Sequence, residues 1–346
     1  MSLPNATHHF LFGTAACVLL VACLPAGGKV DSASTDRSST VDSSRATVAA
    51  ASVDATVDRQ NYGESPLLRD KVAQGTLPPL SERLPDNPLV VNPITRPGRY
   101  GGTIQRAVTA DIIDRTAVSK TFNDNLMAFE RPLNKDYVLN LAESFEYEGD
   151  GHAIVFKLRK GTRWSDGHPF TVDDILFWYE DIALDENARN DPLFPSRWLN
   201  AGRPVKLEKI DDWTLRISSH KPLGSIFSTL CYDERALPKH YFSPYHPRYN
   251  ASVTYEALGR RISRAQLEYH PGTPKLSAWA PVKWVRGQKA LFARNPYYWK
   301  IDTAGNQLPY ADFLEFAVIP NSDVILLKFL NGELDIVGRY IKSDMF

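Results

Sequence analysis

The chain has 346 residues, with 40 Lys+Arg against 40 Asp+Glu and a formal net charge of zero. That balance supplies no long-range pull toward phosphate backbones or anionic lipid, which argues against a dedicated nucleic-acid or membrane-surface binder. The length allows two globular domains, and three cysteines are too few for a disulfide scaffold.

Residues 1–28 carry no Lys, Arg, Asp or Glu, and Phe10 to Leu24 is a nearly continuous apolar run. It is short for a spanning helix, which needs about 20 apolar residues. It fits the apolar region of a secretory signal peptide. The run ends in Leu20-Val21-Ala22-Cys23, which is similar to a bacterial lipobox, with the Cys23 sulfur as the point of lipid attachment. The n-region departs from the usual pattern, offering only His8 and His9 in place of Lys or Arg. The reading is a lipoprotein signal peptide over 1–23.

From Ala26 to Asp58 more than half the residues are Ser, Thr or Ala, and none is aromatic, Leu or Ile. Too little apolar surface is available there to offset ordering entropy, so 24–61 is expected to be a disordered tether. Residues 62–99 open on Glu64-Ser-Pro-Leu-Leu, a short helix candidate ending near Gly75. The prolines from Pro78 to Pro97 then favour an extended strap over a domain.

Regular structure is expected from Tyr100 onward. Thr103–Val108 reads as a strand with Ile104 and Val108 on one face. Ala153–Arg159 and Trp213–Ser218 alternate apolar residues in the same way, behind an Asp150-Gly151 hairpin turn. A helix opens at Thr171, where Thr171 and Asp174 have capping-box spacing, and its apolar stripe is Val172, Ile175, Tyr179 and Ile182. A last helix runs from Ser322 to Asn331 and stops at Gly332, with Leu334–Val337 following as a strand. The mixture lacks strict βαβ alternation, so the class is α/β or α+β.

No P-loop, GxGxxG turn, HExxH, CxxC or GxSxG elbow is present. His240 and His246 are six apart across a proline, which is not helical ligand spacing, so no metal site is expected. Cys231 has no local basic cluster and reads as a small hydrophobe. The pairs Asp173-Asp174 and Asp211-Asp212 have plain roles at a helix start and a turn. Nothing argues for an enzyme or for a cofactor.

Several segments carry a resemblance when taken together. They are Tyr100-Gly-Gly-Thr-Ile, Leu141-Ala-Glu-Ser-Phe, and Phe156 through Trp164-Ser-Asp-Gly-His-Pro-Phe to Ile175. Further along come Ala236-Leu-Pro-Lys-His, Trp284-Val-Arg-Gly-Gln and Arg294-Asn-Pro-Tyr-Tyr-Trp. The series ends with Asn306-Gln-Leu-Pro-Tyr-Ala-Asp and Leu330-Asn-Gly-Glu-Leu-Asp-Ile. In this order, from about Glu64 to Val337, the chain resembles the family 5 extracytoplasmic solute-binding proteins of ABC importers, the oligopeptide-, dipeptide- and nickel-binding group. One stretch departs from the pattern: Ser277-Ala-Trp-Ala-Pro-Val replaces the family's Gly-rich turn.

The resemblance implies an α/β lobe of the type II periplasmic-binding-protein kind with an inserted α+β subdomain. Lobe I would comprise 100–119 and 229–337, the inserted subdomain 120–228, and 338–346 the start of a hinge strand. The second lobe is expected to be largely absent, since family members are much longer. Its loss would expose apolar surface along the cleft and at the sheet edge near Leu334–Val337. Implied ligand contacts are Thr109, Asp111, Asn123, Tyr232 and Asp233. The implied partners are an oligopeptide or other small solute and the permease and ATPase subunits of an importer. The chain would sit in the periplasm or on the outer face of the cytoplasmic membrane, touching the membrane through its lipid anchor only. The expected function is a solute-binding lipoprotein, with an oligopeptide as the favoured ligand, that delivers it to an ABC-type importer, in a truncated form with impaired or no binding. The alternative is a surface-anchored adhesin or chaperone-like interaction protein.

Overall fold

The computed structural model describes residues 47–48, 62–111, 124–129, 137–189, 194–232 and 236–338. Its elements begin with β1 (Thr47–Val48), α1 (Pro66–Ala73), α2 (Leu80–Arg83), β2 (Leu89–Val91) and β3 (Thr103–Val108). The chain then makes β4 (Met127–Phe129), β5 (Tyr137–Leu139), β6 (Ala142–Glu148), β7 (Ala153–Leu158) and α3 (Val172–Leu176). Next come β8 (Leu199–Asn200), β9 (Arg203–Pro204), β10 (Lys206–Asp211) and β11 (Thr214–Ser218). Four helices follow: α4 (Ile226–Tyr232), α5 (Lys239–Phe242), α6 (Tyr255–Arg261) and α7 (Arg264–Tyr269). Last are β12 (Trp279–Val285), β13 (Lys289–Arg294), β14 (Lys300–Asp302), β15 (Phe313–Val318) and α8 (Ser322–Leu330).

Two sheets organise these elements. One has five strands in the order β1-β6-β7-β11-β10, all antiparallel. Its buried face is the alternation read from the sequence, with Ile154 and Phe156 of β7 against Leu215 and Ile217 of β11, all 0% exposed. Gly149, Asp150 and Gly151 all take positive φ in the β6–β7 turn, which is what the Asp-Gly signal requires. Thr47–Val48 lie within the stretch read as a tether, yet they pair with Glu146 and Phe145 on the open edge of β6. An edge strand offers unsatisfied N–H and C=O groups to any extended segment that reaches it.

The other sheet has the order β12-β13-β15-β3, and β15 lies parallel to β3 with Phe313 opposite Thr103. Its small core joins Phe292, Phe316, Leu314 and Val108 to Tyr269. Pro281 is accommodated because β12 is an edge strand, and the register shifts between Pro281 and Lys283.

The helix at Thr171 forms as expected, with the Thr171 N–H donating to Asp174 Oδ2 at 3.0 Å. Its continuation differs from the amphipathic α-helix read from the stripe. From Phe177 to Ala183 the coil widens to π spacing, with Leu184 N–H donating to Tyr179 O at 2.9 Å. Phe177 and Trp178 are buried along with the stripe, so the segment is enclosed on nearly all sides. Side chains from other elements use the wider turn: His246 Nε2 meets the Asp181 carbonyl at 2.8 Å, and Arg248 and Tyr249 meet its carboxylate.

The strap is more structured than its prolines suggest. Pro79 precedes α2, whose Leu80, with Leu84 just beyond it, packs on Ile301, and β2 pairs parallel with β14. Buried Arg83 fixes this region by donating to the carbonyls of Pro78 and Pro296 and to the Glu64 carboxylate. At the other end, α8 stops as expected. Gly332 N–H bonds Phe329 O and Glu333 N–H bonds Lys328 O, each at 2.9 Å, and Gly332 has φ +73°. The strand expected at Leu334–Val337 does not form. Only Asp335 engages the β3 edge there: its N–H donates to Gln105 O, and its carboxylate accepts the Gln105 N–H at 2.6 Å. A carboxylate occupies the site where a ladder partner would sit, and among the described residues the pairing goes no further.

Asp174 ties three separate segments together. It is 3% exposed and also accepts the Trp164 indole N–H at 3.1 Å and the Lys239 N–H at 2.8 Å. Asp174→Ala should lower the unfolding free energy by about 3 kcal/mol, because it strands buried donors. Asp174→Asn, which keeps an acceptor, should cost less; urea unfolding of both variants checks this, and equal losses would contradict it.

Candidate functional site

Ligands on open sheets with parallel strands gather at the carboxyl ends of those strands. Here those ends are Val108 and Val318, joined where Ile319 N–H donates to Val108 O at 2.8 Å. Val318 N–H in turn donates to Gln288 O at 2.7 Å, which brings the β12–β13 turn to the same edge. Thr109 follows β3 directly and is half-buried. Two residues on, Asp111 accepts the Gly287 N–H at 2.6 Å and holds the chain to that turn. The neighbouring Arg286 guanidinium lies over the Trp284 ring at 5.2 Å, and Trp284 stacks on Tyr269 at 5.5 Å. Sequence reasoning missed Arg286 and Trp284 as site neighbours, because a motif at the end of β12 does not say which distant loop meets its turn.

Helix α8 starts beside the end of β15, with Asn321 as its cap and the Asp323 N–H bonded to Asn321 Oδ1 at 2.8 Å. Along β3, residue alternation sets which backbone groups are open. Gln105 turns its N–H and C=O outward to Asp335, so Ala107 turns its own pair to the same open side. Residues Ile104, Arg106 and Val108 face β15.

Tyr232 belongs to a different surface. It ends α4 and is 59% exposed, with its ring 4.6 Å from Phe129 and the Arg197 guanidinium 5.1 Å above it. Phe129 also meets Tyr137 at 5.6 Å, and Tyr137 meets Phe227 at 5.9 Å. Among the described residues, no hydrogen bond or ring contact joins this aromatic group to Thr109 and Asp111. Asn123, Asp233 and Cys23 lie outside the described residues.

The histidines singled out by sequence have ordinary partners. His246 is buried, with Nε2 on the Asp181 carbonyl and Nδ1 accepting the Arg248 N–H at 3.0 Å. His240 Nε2 meets Asp166 Oδ2 at 2.7 Å, and its ring stacks on His168 at 3.8 Å. Among the described residues no group of three or more His, Cys, Asp or Glu is placed to hold a metal ion. No helix among them is long and apolar enough to cross a membrane. Asp211 closes its turn on the Trp213 N–H at 2.8 Å, and Asp173 pairs with Lys209.

Burial pushes the Cys231 thiol up to about 12, so it stays protonated near neutral pH. Its alkylation at pH 8 should run roughly a thousandfold slower than that of a free thiol. Peptide-resolved mass spectrometry after iodoacetamide treatment separates Cys231 from Cys17 and Cys23. Modification of Cys231 at a free-thiol rate would contradict this burial.

Residues 136–345 match the family model described as bacterial extracellular solute-binding proteins, family 5 Middle. The periplasmic alpha-galactoside-binding protein of Rhizobium meliloti is 30% identical over 282 residues, covering 74% of this chain and 39% of that protein. The oligopeptide-binding protein OppA of Bacillus subtilis is 22% identical over 217 residues, 57% of this chain and 34% of that one. Among solved structures, one titled oligopeptide-binding protein OppA aligns with a TM-score of 0.71 at 35% identity, covering 81% of this chain and 45% of the other. The periplasmic binding protein MelB of Agrobacterium fabrum, in complex with stachyose, aligns at 0.68 with 28% identity, over 79% of this chain and 43% of the other. The chain thus spans less than half the length of the relatives it matches.

Proposed function

The chain belongs to the family 5 bacterial extracellular solute-binding proteins, which are transport binding proteins and not enzymes, and from that premise we propose that it captures an oligopeptide for an ABC-type importer. The observation that carries the ligand class is the side of β3 turned away from β15, where among the described residues only Asp335 engages the strand. Ala107 presents a backbone N–H and C=O there, immediately before Thr109 and Asp111 at the carboxyl end of the strand. An extended peptide added to such an edge is held by its own backbone, which tolerates varied side chains. Thr109 and Asp111 line this end; Asn123, Tyr232 and Asp233 remain in the proposed contact set on the family resemblance alone, Tyr232 standing with Phe129 and Arg197 on its own surface.

The proposed location is the outer face of the cytoplasmic membrane or the periplasm, with the lipid carried on Cys23. Partners are the permease and ATPase subunits of the importer. Lobe I and the inserted subdomain keep the boundaries read from the sequence. The strand order of the larger sheet supports that division, being built wholly from 142–218 apart from β1.

A second reading, an alpha-galactoside as ligand, is favoured by the Rhizobium meliloti relative and by the stachyose complex of MelB. Thermal unfolding of the 346-residue chain with a mixed peptide library, and separately with stachyose, decides between them. Saturation at about 100 times Kd adds about 2.7 kcal/mol to the stability of the bound form, a rise of several degrees. A rise with peptide alone is the expected result, and a rise with stachyose alone selects the second reading. A transition that neither ligand moves would contradict solute capture by this chain and leave the surface-anchored interaction protein.

A further inference from the structure

Two cations of α6 and α7, and a third that precedes them in the chain, have carboxylate partners. Arg260 pairs with Glu256, Arg264 pairs with Glu268 at 2.8 Å, and nearby Arg248 pairs with Asp181. Arg261 is different. Among the described residues no carboxylate lies within ion-pair distance of it, and its Nε is buried without a hydrogen-bond partner. Among the described residues its guanidinium meets neutral oxygens and ring faces: Nη2 donates to Tyr241 Oη at 2.7 Å and reaches Tyr245 Oη at 3.5 Å. The guanidinium carbon lies 4.7 Å from the Tyr245 ring centroid and 5.3 Å from that of Tyr241.

A half-buried guanidinium without a counter-ion bears a desolvation cost that ring faces offset only in part. The same two rings and the phenol hold it in one geometry. A carboxylate arriving there meets a guanidinium already oriented, with Nη1 bonded by no described residue, and little side-chain entropy is lost on contact. The surroundings have the composition of a protein interface. Tyr245 of the cage is 39% exposed, and tyrosine and arginine are the residue types that dominate binding at such surfaces.

We propose that Arg261, caged by Tyr241 and Tyr245, is a docking point for an acidic side chain of a partner protein. Among the described residues no hydrogen bond or ring contact joins Arg261, Tyr241 or Tyr245 to Thr109, Asp111 or Tyr232, so the proposal does not rest on the ligand reading. Charge complementarity selects the occupant: the cage offers a positive charge that the described residues leave uncompensated, together with apolar ring surface for the carbon stem of Glu or Asp.

The probe is a penta-glutamate peptide, titrated at low salt into the isotope-labelled full-length chain and followed through the Arg261 Nε and tyrosine ring resonances. Saturable shifts at Arg261, Tyr241 and Tyr245 are expected, with binding roughly tenfold weaker in Arg261→Gln. Penta-lysine should leave these resonances in place. The melting temperature of Arg261→Gln, measured alongside, separates docking from scaffolding. A variant that melts lower but binds penta-glutamate as before would overturn the proposal. So would shifts that sodium chloride of matched ionic strength reproduces.

Discussion

The parallel pairing of β15 with β3 is the constraint on which the rest of the structure depends. Thr103 lies opposite Phe313 and Val108 opposite Val318, so the two strands end together after a long excursion of the chain. Closing so long a loop carries an entropy cost that grows only slowly with length, and local order within the excursion reduces it further. The excursion supplies that order through the five-stranded sheet, with its own core around Phe156, Trp198 and Tyr179. Once the pair is formed, the β12–β13 turn, Asp111 and the start of α8 all come to one end of the sheet.

Local features of this architecture were legible in the sequence because their causes are local. Alternating Ile154, Phe156 and Leu158 fix the buried face of β7, and Thr171 with Asp174 fixes a helix start. Gly332 fixes a helix end in the same way. Features that rest on distant partners were not legible. The π-spaced turn after Leu176 depends on His246, Arg248 and Tyr249, far along the chain, reaching Asp181. The burial of Arg83 depends on Glu64, Pro296 and Gln307, which no window around it contains. Leu334–Val337 has strand composition, but the Asp335 carboxylate satisfies the Gln105 N–H that a strand would have used. For the site, Thr109 and Asp111 came from family resemblance, and the structure supplies a physical reason for their position at the end of β3. Nothing in the sequence pointed to Arg286 over Trp284.

The aromatic content has a use beyond filling cores. Arg294 lies 5.0 Å from the Tyr100 ring, Arg197 is above Tyr232, and Lys300 is 4.6 Å from the Trp299 ring. Rings let cations pack close to apolar surface while keeping part of their electrostatic stabilisation. A chain with balanced charges can then place individual positive groups where a docking surface needs them, without creating a field around the whole molecule.

Native-state hydrogen exchange along β3 in the full-length chain tests the central pairing most directly. Parallel pairing with β15 predicts an alternation, with the amides of Ile104, Arg106 and Val108 protected. Ala107, which faces the open side, should exchange fast, and Gln105 should be slowed by the Asp335 carboxylate. Uniformly fast exchange from Ile104 to Val108, or protection on the opposite set of residues, would contradict the pairing and the site that is built on it.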